Sequence, residues 1–345
     1  MSVKRLFSIN FFATVLGSEI FVYITKRILQ GVLTLLGASI LCFLVIKLAP
    51  GDYLTSLKLN NPKISQETLL EIKKQFGLDQ SIFQQYWNWL TQILTKFNFG
   101  YSFVYSRSVS SLLIERVPAT ILLALSSLLL TWSIALPFGI LSAVKQNTFA
   151  GKFLRILSYI WQGFPPFITG LLLLILAQNV SPLFPVGNMK SLDYDQLTLL
   201  SKILDIGWHL ILPTIALSIS SFAGLQRLMR GQLLDVLRQE YIQTARAKGL
   251  PEKQVIYRHA LRNAINPLIT LLGFEFASLL GGAFIAENLF NWPGLGRLIL
   301  QAVTSNDLYL VMASLMMGAL MLILGNILAD ILLKLVDPRI QFENN

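Results

Sequence analysis

The sequence predicts an all-α membrane protein: six transmembrane helices, with one small extramembrane lobe after the first. Composition is the first reason. Of 345 residues, 54% are hydrophobic and 13% charged, with a mean hydropathy of +0.61, whereas soluble domains carry about 25% charged residues. The second reason is that the apolar residues come in runs of about 20, the length a helix needs to cross the hydrocarbon core. The third is an uneven placement of lysine and arginine among the short loops, which sets the orientation.

Residues 1–26 read as an N-terminal cytoplasmic extension. Lys4-Arg5 before Leu6 to Leu16 has the layout of a short signal segment, but no small-x-small cleavage site follows. The first span occupies 27–50, with Ile28 to Ala49 framed by Lys26-Arg27 and Pro50-Gly51-Asp52. Its one charge, Lys47, can snorkel to the headgroups. Residues 51–118 form the extracytoplasmic lobe, too short for a large core of its own. Within it Ser65 caps a helix that Gly77 closes, and Tyr86-Trp87-Asn88-Trp89-Leu90 is an amphipathic, interface-seeking segment.

The core, 119–338, holds the other five spans. They run from Ala119 to Val144 with a kink at Pro137, from Leu154 to Ala177 interrupted by Pro165-Pro166, from His209 to Leu228, from Ile265 to Leu289 and from Leu308 to Val336. A tail, 339–345, ends the chain. Four basic residues lie in the N-terminal segment, three in the 145–155 loop, eight in the 227–262 loop and two near the C-terminus. The short loops of the opposite face have only Lys190, Lys202 and Arg297. Loops rich in lysine and arginine stay inside, so both termini are expected in the cytoplasm. This distribution accounts for the net charge of +10 without a nucleic-acid partner.

The longest cytoplasmic loop, 229–264, is written as helix, corner, helix. Leu233, Leu237, Tyr241 and Ala245 recur every four residues along one predicted helical face. Gly249 can take a left-handed cap, Pro251 suits the first turn of a following helix, and Glu252 complements its dipole. Small residues Ala245, Ala247 and Gly249 alternate with Arg246 and Lys248, and Glu240 adds a carboxylate one turn earlier. That pattern fits close approach by another protein. It also fits a basic helix pair lying on anionic headgroups.

No catalytic or cofactor-binding constellation is present. Gly151-Lys152-Phe153 lacks the flanks of a phosphate-binding loop, and His209 and His259 stand outside any His-Glu-x-x-His pattern. Both histidines read as interfacial or surface residues. The single Cys42 forms neither an intramolecular disulfide nor a cysteine metal cluster. Among charges within spans, Glu275 is the deepest, at an insertion cost on the order of 2.5–3.5 kcal/mol. It lines a path or is a hydrogen-bonded packing carboxylate, the two readings weighing evenly. Gly273, Ala277 and Gly281 form a close-packing stripe on the same helix, and Asn326 and Asp330 are expected to bond within the bundle, with Asp330 able to pair Lys334.

The run Glu240-Tyr241, Thr244 to Gly249, then His259 to Ala264 resembles the cytoplasmic "EAA" coupling loop of ABC-importer permeases of the dipeptide/oligopeptide/nickel type. Gln243-Thr244-Ala245 stands where the general pattern has Glu-Ala-Ala, and Arg262 where it has proline, departures the peptide branch shares. In the same order, Pro50-Gly51-Asp52, Phe99-Gly100-Tyr101-Ser102, Arg116 to Thr120, Glu287, Pro293 to Leu298, Asn306-Asp307, Asn326, Asp330 and Asp337-Pro338-Arg339 also match, so the resemblance runs from Tyr23 to Ile340.

The resemblance implies a type I ABC importer-like bundle in a bacterial inner membrane. Glu240, Thr244, Ala245, Arg246, Ala247, Lys248, Gly249, His259 and Arg262 would couple to ATPases. Glu287, Pro293, Gly294, Gly296 and Arg297 would lie by the outer gate, with Glu275 a further candidate for the path. Implied partners are a homologous second permease, two ATPase subunits that hold ATP and Mg, an extracytoplasmic solute-binding protein and membrane lipid. This chain itself would bind no cofactor. The competing class is an ion-coupled secondary transporter, which would want more intramembrane acidic or histidine residues than Glu275 and Asp330 supply.

Overall fold

The computed structural model describes residues 18–48, 55, 58, 64–75, 77–180 and 184–336. Pro50-Gly51-Asp52, Asp337-Pro338-Arg339, the tail and most of the expected N-terminal extension lie outside that range. Helix α1, Ser18–Leu48, starts ahead of the boundary expected at 27, because no glycine or proline between Ser18 and Lys26 interrupts it. The lobe follows. In it α2 is Gln66–Gln75, with the Ser65 hydroxyl accepting from Thr68 N at 3.1 Å, and Gly77 closes the helix at φ +63°. Helix α3, Ile82–Lys96, begins with a capping box between Ser81 and Gln84.

A two-stranded hairpin completes the lobe, an element that an all-helical reading missed. Strands β1, Tyr101–Ser102, and β2, Arg107–Ser108, pair antiparallel, and β2 runs directly into helix α4, Val109–Val144. The second apolar helix therefore begins upstream of Ala119, where it was expected, and contains both Pro118 and Pro137. Helices α5, Phe149–Gln162, and α6, Pro166–Asn179, bend by 100° at Gly163–Pro165. An interruption at Pro165-Pro166 was expected here, but not so sharp a bend. Pro165 adopts an extended ψ and Pro166 starts a fresh helix, since neither can donate to a continuing ladder.

Helix α7, Leu199–Leu237, is 39 residues long and begins well before His209. After it come α8, Glu240–Ala247; α9, Glu252–Gln254; a π-turn, Val255–Ala260; α10, Leu261–Ala264; and α11, Asn266–Leu289. A short helix α12, Leu295–Thr304, and the long α13, Leu308–Val336, end the described chain. Four helices among the described residues are long and apolar enough to cross a membrane, in α1, α4, α7 and α13, and a fifth crossing is possible for the bent α5–α6 pair.

The bundle is organised on α4 and α7. Where they meet, side chains are small: Ser218 Oγ donates to Ser127 O at 3.1 Å, and a Cβ on Gly139 would come within 2.8 Å of Gln226 O. Membrane helices associate through such close contacts because lipid tails are as apolar as leucine. Around this pair lie one buried cluster with Leu123, Leu212, Phe290 and Trp292, and another with Leu225, Met229, Leu233 and Ile242.

The first and last helices are tied near their ends by Asp330. Its carboxylate accepts from Tyr23 Oη at 2.5 Å and pairs Arg27 at 3.1 Å. The partner is thus Arg27, across the bundle; the side chain of the expected partner Lys334 lies outside the described residues. The lobe is anchored by Asp307, which is fully buried and accepts from Ser102 Oγ at 2.6 Å, Val104 N at 3.1 Å and Leu310 N at 3.3 Å. Asp307→Ala would leave the first two donors without an acceptor, a loss on the order of 1.5–3 kcal/mol for charge-assisted bonds. Amide exchange over 101–108 should accelerate about tenfold or more while helix content stays constant. Unchanged exchange would show that the hairpin is held by other contacts.

Candidate functional site

The corner after α7 is built from a break the repeat did not reveal. Gln239 takes an extended conformation, so α7 and α8 are separate helices. The register shifts accordingly. Tyr241, expected on one face with Leu233 and Ala245, is exposed while they are buried; its hydroxyl accepts from Asn263 Nδ2 at 2.8 Å, and Ile242 fills the core. Ala245 is buried with Leu233, Ile242, Val255, Ala260 and Leu268, which removes it from the expected docking surface and makes it packing. Glu240, Thr244, Ala247, Lys248 and Gly249 remain exposed, as do Arg258 and Arg262; His259 is half-buried.

Gly249 sits at φ +77°, with its N–H on Arg246 O at 2.9 Å, and an added Cβ would touch nothing. The demand for glycine there is conformational alone. Arg246, expected to reach outward, instead spans the corner. Its Nε and Nη2 donate to Glu252 Oε2 and Oε1 at 3.1 and 2.7 Å, a two-pronged clamp between α8 and the next turn. This clamp raises the guanidinium pKa and holds the Glu252 carboxyl below its ordinary value. Being largely exposed, it contributes about 0.2–1 kcal/mol. From Glu252 the chain passes through the π-turn, a single loosened stretch, and reaches α11 across one turn residue, Ile265.

At the far end of α11 lies a second constellation. Glu287 has no solvent exposure, and its carboxylate accepts from Thr120 Oγ1 at 2.5 Å and from Arg297 N at 3.1 Å. Thr120 Oγ1 in turn accepts from Leu295 N at 2.7 Å, and Trp292 Nε1 donates to Ala119 O at 2.9 Å. The glycines of the Pro293 to Arg297 turn have ordinary or extended backbone angles, so the reason for them is space, not a tight turn. A Cβ on Gly294 would lie 2.0 Å from Glu287 Oε1, and one on Gly296 would lie 2.6 Å from Phe284 Cα. Oε1 of Glu287 thus takes the α4 hydroxyl and Oε2 the backbone of the turn. Pro293 and Arg297 are half-buried, and Arg297 Nη1 donates to Asn291 O at 3.3 Å.

Between these two sites, Glu275 is half-buried in α11, and its Oε2 is shielded from solvent with no hydrogen-bond partner among the described residues. The surroundings of Gly273, Ala277 and Gly281 lie outside the described residues. Asn326 makes no side-chain hydrogen bond among the described residues. His209 is buried rather than interfacial, with Nδ1 2.8 Å from Asp205 O. Sequence reasoning missed Thr120 and Asp307 as anchors. For Asp307 the signal that could have found it is a carboxylate beside an asparagine just ahead of an apolar helix; Thr120, in mid-helix, carries no such signal.

The arrangement defines a class: a multi-pass helical membrane protein with a clamped helix corner and, at the other end of one helix, a buried-carboxylate turn. Residues 135–342 match the family described as "Binding-protein-dependent transport system inner membrane component", and residues 20–124 match its N-terminal companion. The chain belongs to this family of inner-membrane transport components, which are not enzymes. It is 38% identical over 321 residues to the "Oligopeptide transport system permease protein AppB" of Bacillus subtilis, covering 93% of this chain and 99% of that one. It is 32% identical to the "Glutathione transport system permease protein GsiC" of Salmonella typhimurium, again over 93% of this chain and 99% of that one.

The clamp gives a pH prediction with a definite sign. The Arg246 hydrogen bonds hold the folded pKa of Glu252 below the ordinary 4.5, so its contribution is complete above that value and is lost as pH falls through the depressed one. Protection of the Gly249 and Leu250 amides, corrected for intrinsic exchange, should be flat from about pH 7 to 5 and decline below about pH 4. Glu252→Gln should show the reduced protection at every pH. Equal protection in wild type and variant would rule out the clamp as the corner's fastener.

Proposed function

We propose that this chain is one permease subunit of an ATP-driven, binding-protein-dependent importer of peptides. The observation that carries the reading is the corner: small and charged residues Glu240, Thr244, Ala247, Lys248 and Gly249 stand exposed on a clamped frame that continues into α11. Two separate ATPase subunits, holding ATP and Mg, would seat on it. A homologous second permease would complete the pore, and an extracytoplasmic solute-binding protein would deliver cargo. The cargo class rests on the relatives, one named for oligopeptide and the other for glutathione transport, both compounds built from peptide bonds.

In this reading six segments cross the bilayer: α1, α4, the bent α5–α6 pair, the apolar part of α7, α11 and α13. The lysine and arginine distribution supports cytoplasmic termini and an extracytoplasmic lobe. ATP-driven closure of the ATPases would move the corner and, through α11, the helices around the path, so that access alternates between the two sides. Glu275, whose Oε2 has no hydrogen-bond partner among the described residues, would line that path.

Three measurements test this. In a Cys42-free background, a membrane-impermeant thiol reagent applied from outside should label cysteine at position 80 and spare position 250; the reverse would overturn the topology. Ala247→Trp leaves the backbone intact but fills the docking face. It should abolish uptake and weaken ATPase co-purification with all spans inserted, whereas a loop lying on lipid would tolerate the tryptophan, a headgroup-seeking residue. Glu275→Gln keeps shape while removing charge. If Glu275 lines the path, uptake should fall about tenfold or more with assembly intact, and normal uptake would assign the residue to packing.

A further inference from the structure

The lobe carries a polar cavity of about 510 Å³ that the coupling corner and the outer turn do not use. Its walls come from three segments: the end of α2 with the following turn, one face of α3, and the hairpin with Tyr309 beneath it. The lining is dominated by carboxamides: Gln80, Gln85, Asn88, Gln92 and Asn98. Lys74 is the one charged residue among the described lining residues, and it stands exposed at the rim.

The hydrogen bonds within this set fix which way the amides face. Asn88 Nδ2 donates to Gln80 Oε1 at 2.8 Å, and Asn98 Nδ2 donates to Gln92 Oε1 at 3.1 Å. The first pair leaves the Gln80 N–H₂ and the Asn88 oxygen for a ligand; in the second, Asn98 Oδ1 accepts from Gly100 N at 3.0 Å, which leaves the Gln92 N–H₂. Gln85, at the floor, is 7% exposed; its Nε2 donates to Leu78 O and Gln80 O at 3.3 and 2.8 Å, while its buried Oε1 has no donor among the described residues. A buried acceptor left unpaired is costly, and a small shift of this side chain on arrival of an N–H would relieve it.

We infer that this cavity binds a short peptide by its main chain, with Lys74 taking the free C-terminal carboxylate. Carboxamides offer the same donor and acceptor pair as a peptide bond, so a row of them reads main-chain N–H and C=O groups and ignores side chains. A docking loop of fixed sequence would gain from matched side-chain pockets instead; a site built from amides suits ligands of varied sequence. The volume is that of small-ligand sites, about 300–1,000 Å³. This inference rests on the peptide reading above and adds to it a holding site in the lobe, apart from the path through the bundle.

The test uses the full chain in lipid nanodiscs without its partners, with tetra-alanine and its C-terminal amide as probes and quenching of Trp89, which lines the cavity, as one readout beside calorimetry. Tetra-alanine should bind, and the amide should bind about tenfold more weakly, the scale of one charge-assisted contact. Lys74→Met should weaken the free acid to the level of the amide and leave the amide unchanged. Asn88→Leu, at an exposed helix position, should weaken both. Binding equal for acid and amide, or insensitive to Lys74→Met and Asn88→Leu, would overturn the site. So would variants that bind tetra-alanine normally but fail to dock a solute-binding protein, because the cavity would then be a protein contact. Peptide uptake by the assembled transporter is measured separately: its absence defeats the transport reading, whereas normal uptake without lobe binding defeats this site alone.

Discussion

A carboxylate with no access to water, Glu287, is the interaction on which the half of this molecule around the Pro293 to Arg297 turn depends. Placing a bare charge there would be prohibitive, and the fold meets that cost by committing both oxygens to donors. Thr120 brings in α4, and the backbone of Arg297 brings in the first turn of α12, where the positive end of a helix dipole favours a negative charge. The same turn holds the loop before α7, since Asn188 N donates to Phe290 O at 2.8 Å and a Cβ on Gly187 would fall 2.9 Å from that oxygen. Gly294 and Gly296 are glycines because the carboxylate and the α11 backbone occupy the space a side chain would need.

Helix α11 links that turn to the corner at its other end. The corner is fixed in a different way, by an apolar floor of Leu233, Ile242, Ala245 and Val255 and by an exposed clamp between Arg246 and Glu252. The contrast is functional in the proposed account. A buried, fully satisfied network is costly to disturb, whereas a surface clamp beside a π-turn yields at little cost. Motion delivered to the corner would then move α11 while the outer turn keeps its shape.

The helices were legible because lipid demands long apolar runs, and the corner because glycine and proline mark helix ends whatever the context. Helix ends within apolar or polar runs were not. Ser18, Val109 and Leu199 start helices where hydropathy changes little, and the 100° bend at Gly163–Pro165 reads in sequence only as two prolines. The face shared by Leu233, Tyr241 and Ala245 was misread because one extended residue, Gln239, resets the register and exchanges Tyr241 for Ile242. Asp330 bonds within the bundle as expected, but its partners Tyr23 and Arg27 were not legible, since sequence separation says nothing about which distant helix lies alongside. For Glu287 the motif was visible, but its burial was not, because the groups that satisfy it come from positions 120 and 297.

The central claim is that the exposed face at Ala247 meets an ATPase. The most direct measurement places a photo-crosslinking amino acid at position 247 in cells that express the whole transporter, and identifies the product by mass spectrometry. The account predicts a crosslink to a subunit that carries a phosphate-binding loop. A crosslink confined to lipid, in a transporter that still imports peptide, would contradict it.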